Sequence, residues 1–353
     1  MEHVYSAIDT AIQENRNFVV YRLPGENKLR FVAAPEDAIQ TLFDFEELNG
    51  REGYVIAPFG ITNHTPIVFL EAEETSWEYP EESPFGTETE ETPVKASISP
   101  RYKKRFHQFL EPLSDGYLDK VVFSRQLKLM RPETFSPAEA FLKACYKYTQ
   151  SYVYLFHTPI TGTWMGSTPE LLLAGENGDW QTVALAGTQP LVNGQMPLVW
   201  SEKNFEEQRM VSDYIYNQLT AVGIEPTEKG PYAIKAGEVS HLSTDFRFQL
   251  PDVEYIGDLL KLLHPTPAVC GLPKEEAFWF IRDFEGYDRE YYSGFLGWLR
   301  PDGKTELYVN LRCMQVAPRL LTLFAGSGLL PLAAADEEWQ ETEDKMQTMK
   351  TLI

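Results

Sequence analysis

The sequence predicts an α+β fold. Three observations carry that reading. Segments rich in β-branched and aromatic residues recur along the chain, separated by hairpin-length links. Helical patterns interrupt them irregularly instead of following every strand. Neither GxGxxG nor GxxxxGK[ST] occurs, so dinucleotide-binding and P-loop sheets have no motif to rest on.

The elements follow from local chemistry. "KVVFSRQLKLM", "SYVYLFHT", "GTWMGS", "LLLAG" and "QTVALAGT" read as strands with glycine breaks. In "SPAEAFLKACYKY", Ser136 is an N-cap, Pro137 a first-turn proline and Glu139 a capping-box acid, so a helix follows. Ser201 to Gly223 is a long helix, with Val211, Ile215, Leu219 and Val222 at helical spacing. "PKEEAFWFIRDF" starts another at Pro273. The last helix, from Asp336 to Ile353, puts Trp339, Met346, Met349 and Ile353 on one stripe. Glu341 and Lys345 lie i, i+4 on a different face.

The chain has 353 residues and is 43% hydrophobic, enough for one large core. It is read as a single domain, 1–353. Within it, residues 1–70 form an N-terminal part, 71–95 an acidic loop and 96–353 the longer body of the chain. Between Glu71 and Thr92 there are nine Glu and no Lys or Arg. The net charge of −21 argues against a nucleic-acid partner, which needs clustered cations. A buried pocket sets its own field, so a small anion is not excluded.

Cys145, Cys270 and Cys313 are odd in number and lack CxxC spacing. A disulfide framework or thiolate zinc site is not expected, and a reducing compartment fits. The polar, acidic N-terminus is not a signal peptide. No apolar run approaches the roughly 20 residues that span a bilayer. A soluble cytoplasmic protein without a membrane partner is expected.

Taken singly, the polar residues leave alternatives open. Lys120 begins an apolar strand and could face solvent or a site. Glu170, before "LLL", could be a cap, a surface acid or a functional carboxyl. Glu202, Glu206 and Glu207 at a helix start suit the helix dipole. Glu341 with Lys345 is an ordinary surface pair by default. His241 and Arg312 lie in strand-like sequence, where an Arg needs a partner, and an anion would serve. "FAGSGLLP" could cradle an anion or merely turn the chain. "LHPTPAVCGLP" could be a stiff turn or line a site. HxH, HExxH and GxSxG are absent, which removes zincin and α/β-hydrolase readings.

The order of these pieces resembles the chorismate-utilising enzymes. That family includes isochorismate synthases, salicylate synthases and the chorismate-binding subunits of anthranilate and aminodeoxychorismate synthases. The matching stretches are "KVVFSR", "GSTPELLL", "ALAGT", "SEKNFEEQRMV", "HLST", "LHPTPAVCGLP", "YDREYYSGFLGW", "LRC", "FAGSGL" and "EWQETEDK". They run in family order from Lys120 to Lys345. "LHPTPAVCG" and "YDREYYSGFLGW" bring the chain nearest to the isochorismate synthases.

The resemblance implies two large, mostly antiparallel sheets packed face to face with helices outside. It implies Mg²⁺-dependent conversion of chorismate to isochorismate, for menaquinone or siderophore biosynthesis. Water adds at C2 while the C4 hydroxyl leaves, which needs a base and an acid. By resemblance the base is Lys120 and the acid Glu170. Glu207 and Glu341 are the Mg²⁺ ligands. Arg312 and Tyr292 receive the enolpyruvyl carboxylate. Gly187, Thr188, His241, Leu311, Gly326 and Lys345 contact substrate.

Ala186 stands where aminodeoxychorismate synthases carry a nucleophilic Lys, which leaves water as the nucleophile. Ala268 stands where lyases and amino-transferring relatives carry Thr or Ser, and it favours stopping at isochorismate. A monomer without an amidotransferase subunit is expected. Salicylate synthase is the alternative activity, and a non-catalytic chorismate-binding protein a further one. The chain departs from "SEKDRHEH" at Asn204, Phe205 and Gln208. This is expected to loosen the surroundings of Glu207 and to make Glu206 an alternative ligand.

Overall fold

A computed structural model describes residues 2–79, 83–85, 97–191, 194–236, 239–250 and 252–353. Among these residues the strands form two nine-stranded sheets, and every adjacent pair is antiparallel. In spatial order the first sheet runs Gly271–Leu272, Lys120–Met130, Leu320–Leu329, Cys313–Val316, Gly162–Thr168, Tyr152–Thr158, Asn17–Arg22, Lys28–Ala34 and Glu74–Glu78. The second runs Thr227–Ala236, Val239–Gln249, Asp179–Pro190, Leu171–Glu176, Thr305–Val309, Phe295–Leu299, Gly53–Ala57, Ile67–Leu70 and Ile39–Leu42.

Both faces of the central strands are buried, which explains their nearly continuous apolar sequence. In Tyr152–Thr158, Tyr152, Tyr154 and Phe156 join a core between the sheets, whereas Val153 and Leu155 face the helices. Tyr54 and Ile56 join the same central core from the second sheet, whereas Val55 and Ala57 face its helices. Tyr152 and Tyr308 stack across the sheets with ring centroids 4.3 Å apart, and Tyr54 Oη lies 2.6 Å from Tyr152 Oη. Helices Pro137–Lys147 and Ala335–Lys350 cover the first sheet. Helices Glu202–Ala221 and Ile256–Leu263 cover the second. The four layers are the expected α+β arrangement.

Residues 1–70 supply strands to both sheets, so they share the common core. The segment 71–95 differs from the loop expected. Glu74–Glu78 is the edge strand of the first sheet and pairs with Lys28–Val32. Arg30 draws it in by meeting the Glu74 carboxylate. Of that segment, residues 80–82 and 86–95 lie outside the described residues.

The helix at Ser136 begins as expected, with Ser136 Oγ accepting from Glu139 N at 3.2 Å. Two apolar stripes end earlier than their spacing suggests. Val222 caps its helix and is exposed, and Ile353 lies beyond the last helix, where Leu352 is buried instead.

Candidate active site

A cavity of about 50 Å³ opens between the sheets. Of the residues assigned catalytic, substrate or metal roles by the resemblance, all but Lys120 and Glu341 line it. Those two stand directly behind the lining. Lys120 Nζ is 3.0 Å from Glu207 Oε1, and Lys345 Nζ is 2.7 Å from Glu341 Oε1.

Glu170 and Arg312 owe their positions to two of the places where the chain switches sheets. Glu170 lies between strand Gly162–Thr168 of the first sheet and strand Leu171–Glu176 of the second. Arg312 lies between Thr305–Val309 of the second and Cys313–Val316 of the first. The crossovers pack side by side: Val309 N donates to Glu170 O at 2.9 Å, and Ser167 N to Arg312 O at 3.1 Å. Arg312 has φ +47°, a left-handed conformation that a non-glycine residue adopts only when its surroundings impose it. Glu290 and Ser293 around Tyr292 are left-handed too, at +51° and +63°. Tyr292 then stacks on Phe324 at 5.2 Å.

The Arg312 side chain fixes its neighbours. Its Nη2 donates to His241 Nε2 at 2.7 Å. An imidazole nitrogen that accepts there must carry its proton on Nδ1, which lies 3.1 Å from Gly187 O and 3.2 Å from Thr188 Oγ1. Burial, reinforced by Arg312 and Lys345, pushes the His241 pKa well down, so the ring is neutral. Arg312 Nη1 is buried without a partner among the described residues and belongs to a side chain on the cavity wall. A buried cation with spare donors suits a carboxylate.

The carboxyls separate by environment. Burial raises the Glu170 pKa to about 7, with Lys120, a 3.4 Å hydrogen bond from Thr266, Lys345 and Arg312 pulling partly the other way. Burial also pushes Glu207 up, but the Lys120 ammonium, together with Lys345 and Lys203, outweighs it and holds Glu207 below its ordinary value. One buried carboxyl can therefore hold a proton near neutrality while its neighbour is ionised.

Glycines make room for these groups. A Cβ on Gly328 would run into the Glu207 carboxylate and meet Lys120 Cε at 3.0 Å. A Cβ on Gly326 would meet Tyr292 Oη at 3.0 Å, and Gly326 O accepts from Lys345 Nζ at 2.9 Å. Gly187 has φ +70° and lies against Asn204, where a Cβ would come within 2.9 Å of Asn204 O.

The departures in "SEKNFEEQ" do not loosen the helix. Gln208 is buried, accepts from Ala186 N at 2.8 Å and donates to Ala184 O at 3.0 Å. It pins Glu207's helix to the strand carrying Gly187. Glu206 is exposed and does not line the cavity, whereas Glu207 does.

Three contributors escaped the sequence reading. Thr266 contacts Glu170; its place two residues before Ala268 was the available signal. Glu338, one turn before Glu341, is buried and bonded to Lys203 at 2.5 Å. Burial, then Glu341, raises its pKa to about 7. Arg289, paired with buried Glu285, donates to Val269 O at 2.7 Å and Val122 O at 2.9 Å. It ties together two stretches of cavity wall, which no local pattern announces.

This geometry belongs to a recognisable class of protein. The family model described as chorismate binding enzyme matches residues 66–353, and the chain belongs to that family. The chain is 32% identical over 264 residues to the isochorismate synthase DhbC of Bacillus subtilis, covering 70% of this chain and 66% of that protein. It is 30% identical over 242 residues to the isochorismate synthase EntC of Escherichia coli, covering 66% of this chain and 61% of that one. The matched region thus spans just under two thirds of these relatives. The crystal structure of DhbC from Bacillus anthracis superposes with a TM-score of 0.78, covering 98% of each chain at 22% identity. That last likeness establishes the shared fold. No described helix is long and apolar enough to cross a membrane.

Proposed function

We propose that this chain is an isochorismate synthase, isomerising chorismate to isochorismate. The observation that carries the reading is Glu170: a buried carboxyl whose pKa sits at about 7, on the wall of a cavity that also presents Arg312. A general acid for a leaving hydroxyl needs that property. Arg312, beside Tyr292, receives the enolpyruvyl carboxylate by charge-assisted hydrogen bonds. Neutral His241 holds the Arg312 guanidinium in line. Lys120, one wall-thickness behind Gly328, is the proposed base for the attacking water, a role it takes only after giving up the ammonium proton that pairs it with Glu207. Glu170 gives its proton to the departing C4 hydroxyl. Ala268 adds no hydroxyl beside the ring, which favours stopping before pyruvate is eliminated.

Glu207 and Glu341 are the proposed Mg²⁺ ligands. Glu338 Oε2 is a buried oxygen without a hydrogen-bond partner, and Glu338 feels both Glu341 and Glu207, so an oxygen-rich anionic pocket exists there. Among the described residues no three acidic, imidazole or thiol groups form a complete metal cage. Mg²⁺ uses few protein carboxylates and keeps water or substrate oxygens, so two carboxylates would be enough protein ligands for it. Bound there, the ion would hold the ring carboxylate and polarise the conjugated ring.

The deciding experiment is incubation of the protein with chorismate and Mg²⁺, read by chromatography. Isochorismate as product, lost with EDTA and restored by Mg²⁺, is expected. Salicylate with pyruvate would replace this reading by the salicylate synthase activity. No turnover from folded protein would leave a chorismate-binding protein.

A further inference from the structure

A second and larger cleft, about 400 Å³, shares no lining residue with the cavity above. It runs beside strand Lys120–Met130 beyond Val121, where the pairing with Gly271–Leu272 has ended. Helix Pro100–Ser114, Tyr287 and Trp339 complete the lining, with Tyr102 of that helix edge-on to Trp339 at 4.9 Å.

Its chemistry runs against the rest of the molecule. The chain carries a net charge of −21, yet Arg101, Arg105, Arg125 and Lys128 converge here and no described carboxylate lines the cleft. Arg125 is neutralised by Glu343 and lies over the Trp339 ring at 3.8 Å. The other three have no carboxylate within ion-pair distance among the described residues. Arg105 is held at the rim by donating Nη1 to Glu285 O at 2.7 Å. Arg101 and Lys128 are exposed at the cleft, so an anion entering it would meet three cations at once.

Tyr287 and Trp339 add partly exposed aromatic surface, and beneath them buried Tyr102 and Phe123 stack on each other with ring centroids 4.9 Å apart. Guanidinium groups grip carboxylates in a plane, and aromatic faces stack on rings. The volume falls in the range of small-molecule sites, roughly 300–1,000 Å³.

We propose that this cleft is a second ligand site, taking a small planar aromatic acid through Arg101, Arg105 and Lys128. Its occupancy is felt in the first cavity through two shared elements. Phe123 and Arg125 lie on the strand that carries Lys120 and Val122. Trp339 lies between Glu338 and Glu341 on the last helix.

The test is calorimetric titration of the full chain with benzoate. Wild type and Arg312→Ala are expected to saturate, and Arg101→Ala/Arg105→Ala/Lys128→Ala to bind at least about tenfold more weakly. The triple variant should keep its turnover without benzoate and lose the change in kcat that benzoate causes in wild type. No saturation by about 10 mM in wild type would overturn the proposal. So would binding lost in Arg312→Ala but kept in the triple variant, or purely competitive inhibition, since each places benzoate in the first cavity. Lys128→Glu, at an exposed position, provides a check independent of the triple variant's folding. It should weaken binding by itself, and unchanged binding would overturn the proposal.

Discussion

Lys120 and Glu207 form a buried ion pair, Nζ to Oε1 3.0 Å, between a strand of the first sheet and a helix that covers the second. Breaking one side of such a pair leaves a desolvated charge and costs about 3–5 kcal/mol. Lys120→Met and Glu207→Gln should each lower stability by roughly that amount. The double variant should regain most of the loss. Urea denaturation of all four proteins checks this, and additive losses would show that the pair is not coupled.

Glu170 predicts opposite effects on activity and stability. Its folded pKa, about 7, lies above the ordinary carboxyl value. The protonated form is therefore favoured by folding, and stability falls as pH rises from the unfolded pKa through about 7. Above that the deficit is on the order of 3 kcal/mol. Glu170→Gln should raise the melting temperature at pH 8 more than at pH 5. It should also lower kcat by about 10² to 10⁴. In wild type, kcat should decline as pH rises through about 7.

His241 should remain neutral, with its proton on Nδ1, across the range where exposed histidines titrate. Imidazole ¹⁵N chemical shifts between about pH 8 and 5 report this directly. Arg312→Ala should raise KM about 10- to 100-fold, the worth of one or two charge-assisted hydrogen bonds. An imidazolium signal for His241 near pH 6 would contradict the Arg312 hydrogen bond.

Gly328→Ala tests the proposed metal position without touching a carboxylate. The added methyl would displace the Glu207 carboxylate. The Mg²⁺ concentration for half-maximal turnover should rise at least about tenfold. Titration of turnover against Mg²⁺ after EDTA treatment measures it. An unchanged requirement would put the metal away from Glu207.

Local residues by themselves determined many of the strands and helices, though not the edge strand Glu74–Glu78. Lys120–Met130 is a strand because Val121, Val122 and Phe123 suit a pleat whose first half is buried on both faces. The long helix after Ser201 is a helix because Ser201 caps it and its apolar residues recur every three to four positions. The order of short motifs determined which residues to watch. What these patterns lacked was distance. Glu170 and Arg312 lie far apart in sequence and meet because both occupy crossovers between sheets, a property of topology that no spacing records. Lys120 looked like an edge lysine by its neighbours. It is buried because a helix distant in sequence brings Glu207 against it. The cationic cleft was invisible for the same reason: helix Pro100–Ser114, the strand after Lys120, Tyr287 and Trp339 become neighbours only when the sheet is built. Local propensity selects elements over a few residues, whereas burial, charge pairing and pKa depend on which elements are packed together.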